Sequence, residues 1–332
     1  MTLFFPPMVY LFFLILGTLI AVSSSSLFGM WMGLEINLMS FIPLALNLEY
    51  NKKSSEAIIK YFLVQAIASS MIIFSSFYSF ILDGNYFMLS PNILFTLALC
   101  TKLGMAPFHF WFPEVMEGLS WVNSLVLLTW QKISPLVILS LLFYGKVLIS
   151  LSLASALIGA ISGFNQTSLR KILAFSSISH LGWLGSMIFM NSSLWISYFL
   201  IYVMISFIIT LSFWLLDLNY FSQLTLIQNL NLKMMIFVNL LSLGGLPPLL
   251  GFLPKWTAIM VLSNNFPVLF ILIISSLMTL YFYTRLCFST FTLFFQNTTW
   301  SVKMSFKKNI FILSILSLFS LLGILPLSVI FV

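Results

Sequence analysis

Long apolar runs separated by short polar breaks make up almost the whole sequence. A helix needs about 20 predominantly apolar residues to cross the hydrocarbon core of a bilayer, and most of these runs reach that length. The pattern therefore predicts an all-α fold, a polytopic membrane protein of about 11 transmembrane helices. The predicted spans lie at about residues 4–22, 27–47, 57–81, 87–111, 121–143, 147–164, 171–190, 194–216, 233–263, 267–290 and 309–331.

The composition agrees with this class, since 61% of the 332 residues are hydrophobic and only 6% are charged. A soluble domain has about 25% charged residues, so this chain could not cover a water-facing surface. Cys100 and Cys287 lie in apolar runs, and we interpret them as packing residues rather than as a disulfide. The first run lacks a basic segment and a small-residue cleavage site, so we predict that it is a retained span.

Residue types that common cofactor sites require are scarce. His109 and His180 are the only histidines, and the sequence contains neither a glycine-rich phosphate loop nor an acidic metal cluster. Haem, zinc and nucleotide sites need such groups. We therefore predict no metal, no cofactor and no nucleic-acid partner for this chain, so any associated redox chemistry must occur elsewhere.

Basic residues are distributed unequally between the two sides of the predicted membrane. The loops after even-numbered spans contain eight of them, whereas the opposite loops contain only Lys146. Because loops on the positive-inside face are enriched in lysine and arginine, we predict the N-terminus on that face and the C-terminus on the other. The eight residues are Lys52, Lys53, Arg170, Lys171, Lys233, Lys303, Lys307 and Lys308.

The spans divide into two sets of five, residues 1–146 and 147–290, followed by a loop and a last helix in 291–332. Because each set has an odd number of spans, the second set is inverted in the membrane. The fourth span of each set combines a lysine with a Gly/Pro interruption, LGMAP after Lys102 and GGLPPLLGFLP before Lys255. Paired broken helices at corresponding positions predict an ion or substrate path near the midplane.

Five titratable side chains fall inside the predicted spans: Glu35, Lys102, Lys132, His180 and Lys255. A charged group near a helix centre costs about 2.5–3.5 kcal/mol, so each needs a reason to be there. Lys132 lies eleven residues from both Trp121 and Phe143, which is roughly 16 Å from either end. Burial disfavours the charged ammonium form of a lysine, whereas a nearby carboxylate favours that form. Lys132 can therefore exchange protons if Glu35 is its partner.

Structural roles compete with these functional ones. A buried Lys–Glu pair can simply hold two helices in register, although this does not account for three lysines on three helices. His180 suits a structural hydrogen bond as well as a relay, and His109 suits a capping role near the break. At the membrane edge, we expect FPEVMEGLS, with Glu114 and Glu117, to be a loop. We also expect Glu56 and Lys60 to form an i,i+4 surface pair.

Several motifs resemble the subunit 2 family of mitochondrial NADH–ubiquinone oxidoreductase, respiratory complex I, and arthropod members most of all. The resemblance covers most of the chain and implies antiporter-like, inverted five-helix repeats in a proton-pumping membrane arm. The motifs are WMGLEINLMSFIPL (31–44), EAIIKYFLVQAIAS (56–69), KLGMAPFHFWFPEVMEGLSW (102–121), TWQKISPL (129–136), NQTSLRKILAFSSISHLGW (165–183) and GGLPPLLGFLPKW (244–256).

The resemblance also implies roles for individual residues. Glu35, in the GLEIN motif, corresponds to the conducting glutamate of the family, and Lys132 corresponds to its central-axis lysine. Lys102 and Lys255 correspond to the lysines of the two broken helices, and His180 matches an axial histidine. The implied mechanism is a proton relay in which a change at Glu35–Lys102 drives exchange with Lys132 and then with Lys255.

The same resemblance implies partners and a location. The partners would be other complex I membrane-arm subunits, especially antiporter-like subunit 4, the small subunit 4L and the lateral helix of subunit 5, together with phospholipids. NADH, FMN, iron–sulfur clusters and ubiquinone would be bound by other subunits of the complex. The chain would lie in the mitochondrial inner membrane, with its N-terminus on the matrix side and its C-terminus on the intermembrane-space side. Two rivals stay open, a stand-alone cation/proton antiporter and a purely structural scaffold.

Overall fold

The computed structural model describes residues 5–46, 52–81, 91–143, 145–225, 227, 230–292 and 317. These residues contain fourteen helices and no β-strand, which confirms the all-α prediction. The helices are α1 (Phe5–Ser23), α2 (Leu27–Ala45), α3 (Lys52–Ile81), α4 (Pro91–Leu103), α5 (Trp111–Gly118), α6 (Trp121–Leu128), α7 (Trp130–Leu141), α8 (Gly145–Ser162), α9 (Leu169–Phe189), α10 (Trp195–Leu215), α11 (Phe221–Thr225), α12 (Leu230–Gly244), α13 (Phe252–Leu262) and α14 (Phe266–Thr292).

Each of the ten predicted spans up to residue 290 corresponds to one helix or to two consecutive helices. Within the described ranges, 7 helices are long and apolar enough to cross a membrane, and four further apolar helices are shorter. Three of the shorter ones, α4, α12 and α13, belong to the two spans that were predicted to be broken. The predicted span 309–331 lies outside the described residues except for Ser317, as does the preceding loop with Lys303, Lys307 and Lys308.

The region between residues 103 and 121 differs from the prediction. The fourth span ends as a helix at Leu103, and the expected loop FPEVMEGLS forms most of helix α5. Pro113 is tolerated because it lies in the first turn of α5, where its missing N–H has no helical partner to lose. The helix packs closely on α3, since a Cβ at Gly118 would lie only 2.5 Å from the Cβ of Ala57. A short helix that is buried on one face therefore follows the first break directly.

The fifth predicted span is also divided in two. Helices α6 and α7 meet at Thr129, whose backbone (φ −114°, ψ −69°) is distorted from ideal helical values. The backbone N–H of Lys132 donates to the carbonyl of Thr129 at 3.3 Å, so a tight turn precedes this lysine. The sequence prediction of one continuous span did not include this interruption, because neither glycine nor proline lies at residues 129–132.

The helices form two compact units, one within residues 1–155 and one within residues 156–332. In the first unit, α2, α3, α4, α5 and α7 surround the predicted residues Glu35, Lys102 and Lys132. In the second unit, α9 is buried on almost all sides and packs against α10, α13 and α14. An α-helix that is buried all round forms the centre of a helix bundle.

Lys233 was counted among the loop lysines, and this placement is wrong. The residue lies in the first turns of α12 and its side chain is only 1% exposed. Its Nζ donates to the backbone carbonyls of Thr225 at 3.4 Å and Thr290 at 3.2 Å. The side chain thus connects α12 with the end of α11 and the end of α14, where carbonyl groups lack helical partners.

Candidate functional site

The break after α4 begins with a glycine turn. Gly104 has a positive φ of +73°, which favours glycine because other residues are strained there. The N–H of Gly104 donates to the carbonyl of Thr101 at 3.1 Å, and the N–H of Met105 donates to that of Cys100 at 3.0 Å. This is the Schellman arrangement, which ends a helix while satisfying two of its last carbonyl groups. It stops α4 one residue after Lys102.

Side chains from other helices satisfy further carbonyl groups at this helix end. Gln65 of α3 donates from Nε2 to the carbonyl of Lys102 at 3.2 Å. Trp111 of α5 donates from Nε1 to the carbonyl of Thr101 at 3.2 Å. Backbone groups freed by a break inside a membrane must find protein or water partners, because lipid offers none. The local sequence therefore builds a helix end that is stable inside the first unit.

Glu35 projects from α2 toward this helix end. Its Oε2 is buried and makes no hydrogen bond to any residue that the structure describes. The carboxylate interacts electrostatically with Lys102 and with Tyr61. No ion pair within 4.0 Å links Glu35 to Lys102 among the described residues. Glu35 and Lys102 are therefore neighbours whose charges attract without direct contact.

Lys132 lies in the first turn of α7, directly after the turn at Thr129. Its Nζ lies 5.2 Å from the ring centroid of Phe112 on α5, a distance that permits a cation–π interaction. Lys102, Lys132 and Lys255 are all buried, with at most 7% of each side chain exposed. The sequence argument that Lys132 cannot reach the membrane surface is consistent with this burial.

Lys102 and Lys132 line the same small cavity, of about 20 Å³. A cavity holds a water molecule when it offers at least about 10–15 Å³ and several polar partners. Both conditions are met, so a water molecule can occupy the space between the two lysines. The polar side chains around the cavity are those of Asn37, Tyr61, Gln65, Gln131 and Ser134, in addition to the two lysines.

Four of these polar side chains form a chain of hydrogen bonds. The Tyr61 hydroxyl donates to Gln131 Oε1 at 3.4 Å, and Gln131 Nε2 donates to Asn37 Oδ1 at 3.1 Å. Asn37 Nδ2 then donates to the Ser134 hydroxyl at 3.5 Å. Sequence reasoning missed these residues because they are uncharged. The signal that could have found them is their position, since Asn37 and Gln131 lie two residues and one residue from Glu35 and Lys132.

The break between α12 and α13 in the second unit begins with the same turn. Gly245 has a φ of +80°, and its N–H donates to the carbonyl of Ser242 at 3.0 Å. The N–H of Leu246 donates to the carbonyl of Leu241 at 3.4 Å. The connection then folds back, because a Cβ at Gly251 would overlap the carbonyl oxygen of Ser242. Helix α13 therefore begins directly beside the end of α12.

Lys255 lies in the first turn of α13 and reaches back across this break. Its Nζ donates to the carbonyl of Gly244 at 2.7 Å. A Cβ at Gly245 would lie 3.0 Å from that Nζ and 2.8 Å from the Lys255 Cδ, so only a glycine leaves room for the lysine. The C-terminus of a helix carries a partial negative charge that stabilises a cation. The end of α12 therefore binds the ammonium of Lys255.

His180 lies in the buried helix α9, next to two tyrosines of α10. Its Nδ1 is 2.9 Å from the Tyr198 hydroxyl, and its ring centroid is 5.2 Å from that of Tyr202. The structural hydrogen bond considered from the sequence is therefore present. Histidine and tyrosine can both donate and accept protons, so the same contact also permits a relay.

The structure brings the predicted residues together in two groups. Glu35, Lys102 and Lys132 lie in the first unit, and His180 and Lys255 lie in the second. His109 is buried beside the first break, and its carbonyl rather than its side chain accepts from the N–H of Phe112, at 3.0 Å. The described residues contain no group of His, Cys, Asp or Glu that could hold a metal ion.

One expected surface contact is different. Lys60 forms its ion pair with Glu114 of α5, at 2.6 Å, and not with Glu56 one turn earlier on its own helix. Both side chains are about half exposed. The expected i,i+4 pair was wrong because the segment around Glu114 is a helix that packs beside α3, not a loop.

Comparisons with known proteins match nearly the whole chain. Residues 24–280 match the transmembrane family described as NADH:quinone oxidoreductase/Mrp antiporter, and residues 280–332 match the C-terminal family of NADH dehydrogenase subunit 2. NADH-ubiquinone oxidoreductase chain 2 of Anopheles gambiae is 48% identical, over 98% of this chain and 97% of its own. The Aedes aegypti protein of the same name is 43% identical over 97% of both chains.

Two solved structures share the fold. A chain of respiratory complex I from Thermus thermophilus superposes with a TM-score of 0.81 at 23% identity, covering 97% of this chain and 80% of that one. A chain of the Mrp complex from Dietzia superposes with a TM-score of 0.72 at 17% identity, covering 81% and 57%. At these identities the likeness concerns the fold alone.

Proposed function

Because the chain belongs to the NADH-ubiquinone oxidoreductase chain 2 family, we propose that it moves protons through its buried lysines as a membrane-arm subunit of complex I. It is a multi-pass protein of the mitochondrial inner membrane, and its partners are other subunits of that complex. The electron transfer from NADH to ubiquinone would take place in those other subunits. The proposal concerns which residues of this chain carry the protons.

The observation that carries this proposal is the burial of three lysines beside interrupted helices. Lys102, Lys132 and Lys255 are nearly inaccessible, and the three lie next to a glycine turn or the turn at Thr129. A buried ammonium is costly, and a purely structural lysine would be expected to close an ion pair. No such pair within 4.0 Å is present for Lys102 or Lys255 among the described residues. Polar backbone and a water-sized cavity surround them instead.

The proposed relay starts at Glu35 and Lys102. At an effective dielectric constant of ~20, unit charges attract by about 4 kcal/mol at ~4 Å and about 2 kcal/mol at ~8 Å. A movement between such distances would change the proton affinity of the lysine by roughly thirtyfold. A charge change arriving from a neighbouring subunit could therefore load or unload Lys102 without any covalent step.

The later steps use the remaining buried groups. Lys102 would exchange a proton with Lys132 through water in the cavity that both side chains line. Lys132 would then exchange with Lys255, with His180 as a further acceptor in the second unit. Each lysine alternates between ammonium and amine, so no net charge accumulates in the apolar interior after a full cycle.

The finer organisation belongs to the same proposal. Residues 1–146 and 147–290 would be inverted five-helix repeats, with a loop and a last transmembrane helix in 291–332. The N-terminus would face the matrix and the C-terminus the intermembrane space, as the basic loops indicate. Neighbours would include subunit 4, subunit 4L and the lateral helix of subunit 5, while NADH, FMN, iron–sulfur clusters and ubiquinone would bind elsewhere in the complex.

The direct test is complex I that carries Lys132→Met in this subunit. Methionine keeps the length and apolar stem of lysine but cannot hold a proton. We expect normal assembly on a native gel. We also expect the loss of proton translocation per NADH oxidised, measured with a pH-sensitive dye in inner-membrane vesicles. Full pumping with normal assembly would contradict the relay and favour the scaffold role.

A matched control is Lys60→Met in the same subunit. Lys60 is exposed and pairs with Glu114 at the surface, so the same chemical change should leave pumping intact. Similarity to the Mrp chain concerns the fold alone, and thus gives no separate support to a stand-alone antiporter.

A further inference from the structure

Tyr283 on α14 has a buried hydroxyl that the relay described above does not use. Its side chain is 0% exposed, and its Oη makes no hydrogen bond of standard geometry within the described part of the chain, where the Ser176 hydroxyl is a polar neighbour. A buried tyrosine hydroxyl normally finds a partner, and leaving one unsatisfied costs about 1–3 kcal/mol. A phenylalanine would fill the same space without that cost. The hydroxyl therefore needs an explanation beyond packing.

One side of Tyr283 faces the second helix break. A Cβ at Gly244 would lie 3.4 Å from the Cδ2 of Tyr283, so the ring packs directly against this glycine. The carbonyl of the same glycine accepts the hydrogen bond from Lys255 Nζ at 2.7 Å. The tyrosine ring and the lysine ammonium therefore contact one residue at the end of α12.

The other side of Tyr283 faces the histidine cluster. Tyr283 is a neighbour of Tyr202 on α10 and of the Ser176 hydroxyl on α9. The Tyr202 ring is 5.2 Å from that of His180, measured between centroids. These contacts place the Tyr283 hydroxyl between the break that holds Lys255 and the helix that carries His180.

We propose that Tyr283 is a further relay residue, whose hydroxyl passes protons between Lys255 and the cluster of His180 and Tyr202 through a bridging water. The inference rests on the proposed function, because it extends the same path. A hydroxyl accepts one proton on its oxygen while it gives up its own, so it is neutral before and after each transfer. Lys255 changes from ammonium to amine, His180 changes from imidazole to imidazolium, and no other group changes its charge.

The test is Tyr283→Phe in assembled complex I. The ring and its packing on Gly244 are retained, and only the hydroxyl is lost. Because a positioned proton-transfer group contributes about 10²–10⁴-fold to its step, we expect proton translocation per NADH oxidised to fall by about tenfold or more. A changed pH profile and solvent isotope effect of NADH-driven pumping should accompany the loss, and a packing role would alter neither.

The matched control is Tyr281→Phe, two residues earlier on the same helix. The Tyr281 side chain is 59% exposed, so removal of its hydroxyl should leave pumping, pH profile and isotope effect unchanged. If Tyr283→Phe prevents assembly, Tyr202→Phe interrupts the same path at the next hydroxyl. Loss of pumping in that variant with normal assembly would support the path, and normal pumping would overturn it.

Lys255→Met, measured in parallel, separates this inference from the proposed function. If Lys255→Met abolishes pumping while Tyr283→Phe pumps like the wild type, the tyrosine relay is wrong and the lysine relay stands. If both variants pump normally, the lysine relay fails in the second unit and the tyrosine relay fails with it. Loss of pumping in both supports both.

Discussion

The break after α4 and the break after α12 begin with the same glycine turn but hold their lysines on different sides of it. Gly104 and Gly245 both have a positive φ, and the same pair of backbone hydrogen bonds closes each helix end. Lys102 belongs to the helix before its break, in the last turn of α4. Lys255 belongs to the helix after its break, and its ammonium reaches back to the carbonyl of Gly244.

This difference indicates two ways of stabilising a buried ammonium. Lys255 is bound by a carbonyl of the helix end, which is a fixed part of the backbone and gives a constant environment. Lys102 is attracted by the carboxylate of Glu35, which belongs to a side chain on another helix and not to the backbone of a helix end. A carbonyl of its own helix end is bound by Gln65 instead. In the relay, the proton affinity of Lys102 is therefore suited to respond to a change at Glu35. The proton affinity of Lys255 is suited to stay constant.

The largest effect expected from this comparison is that of Glu35→Gln. Glutamine keeps the size and polarity of the side chain but removes the charge that distinguishes the Lys102 site from the Lys255 site. We expect proton translocation per NADH oxidised to fall by roughly thirtyfold, because the movement that would change the proton affinity of Lys102 by that factor no longer acts on a carboxylate charge. The measurement is dye-detected pumping in vesicles, normalised to the assembled complex on a native gel.

Glu114→Gln is the control for that change, because this carboxylate is also in the first unit but is 54% exposed. It should leave pumping unaltered, since surface ion pairs contribute little. If Glu35→Gln pumped normally, the two lysine sites would not differ in the way argued here, and Lys102 would have no signal to respond to.

A smaller effect, and one confined to the second break, is expected from Gly245→Ala. A Cβ there would meet the Lys255 side chain at 2.8–3.1 Å, so the flexible lysine should move away from Gly244. In addition, alanine at a positive φ costs about 1 kcal/mol. We expect several-fold weaker pumping per assembled complex, with only modestly lower thermal stability.

Gly104→Ala provides the comparison at the first break. Its φ of +73° imposes the same backbone strain, but the Cβ would meet Phe112, at 3.2 Å from its Cβ, and not a lysine. Its stability loss should therefore resemble that of Gly245→Ala, while its pumping loss should be smaller. Equal pumping losses in the two variants would mean that the contact of Lys255 with Gly244 does not contribute to proton pumping.

The sequence predicted both breaks and the buried lysines for a simple physical reason. In a chain with so few charges, each charged residue within an apolar run is conspicuous, and Gly–Pro clusters interrupt helices wherever they occur. These two signals are local, so no tertiary information was needed to find Lys102, Lys132 and Lys255.

Other features required the three-dimensional structure. Helix α5 was expected to be a loop because Pro113 and two glutamates suggested one, yet an apolar face of Trp111, Phe112, Val115 and Met116 buries it. Lys233 was counted as a loop lysine because polar residues precede it. Tyr283 and Gln131 carry no charge, and only their burial and neighbours distinguish them from the many packing residues of this chain.

The smallest effect is expected from Gln65→Leu. At the first break Gln65 donates to a carbonyl of the helix end, as Lys255 does at the second break, and this variant tests that contact. The change removes the donor to the Lys102 carbonyl, which is then buried without that partner. An unsatisfied buried carbonyl costs about 1–3 kcal/mol, so the assembled complex should unfold at a lower temperature. Pumping should stay near the wild-type level, because the Lys102 ammonium and its attraction to Glu35 are unchanged.

Gln65→Glu is the informative second variant, because it adds a carboxylate near Lys102 while removing the donor. If Gln65→Leu abolished pumping at normal assembly, the helix end itself would control Lys102, as it does Lys255, and the two breaks would work in the same way.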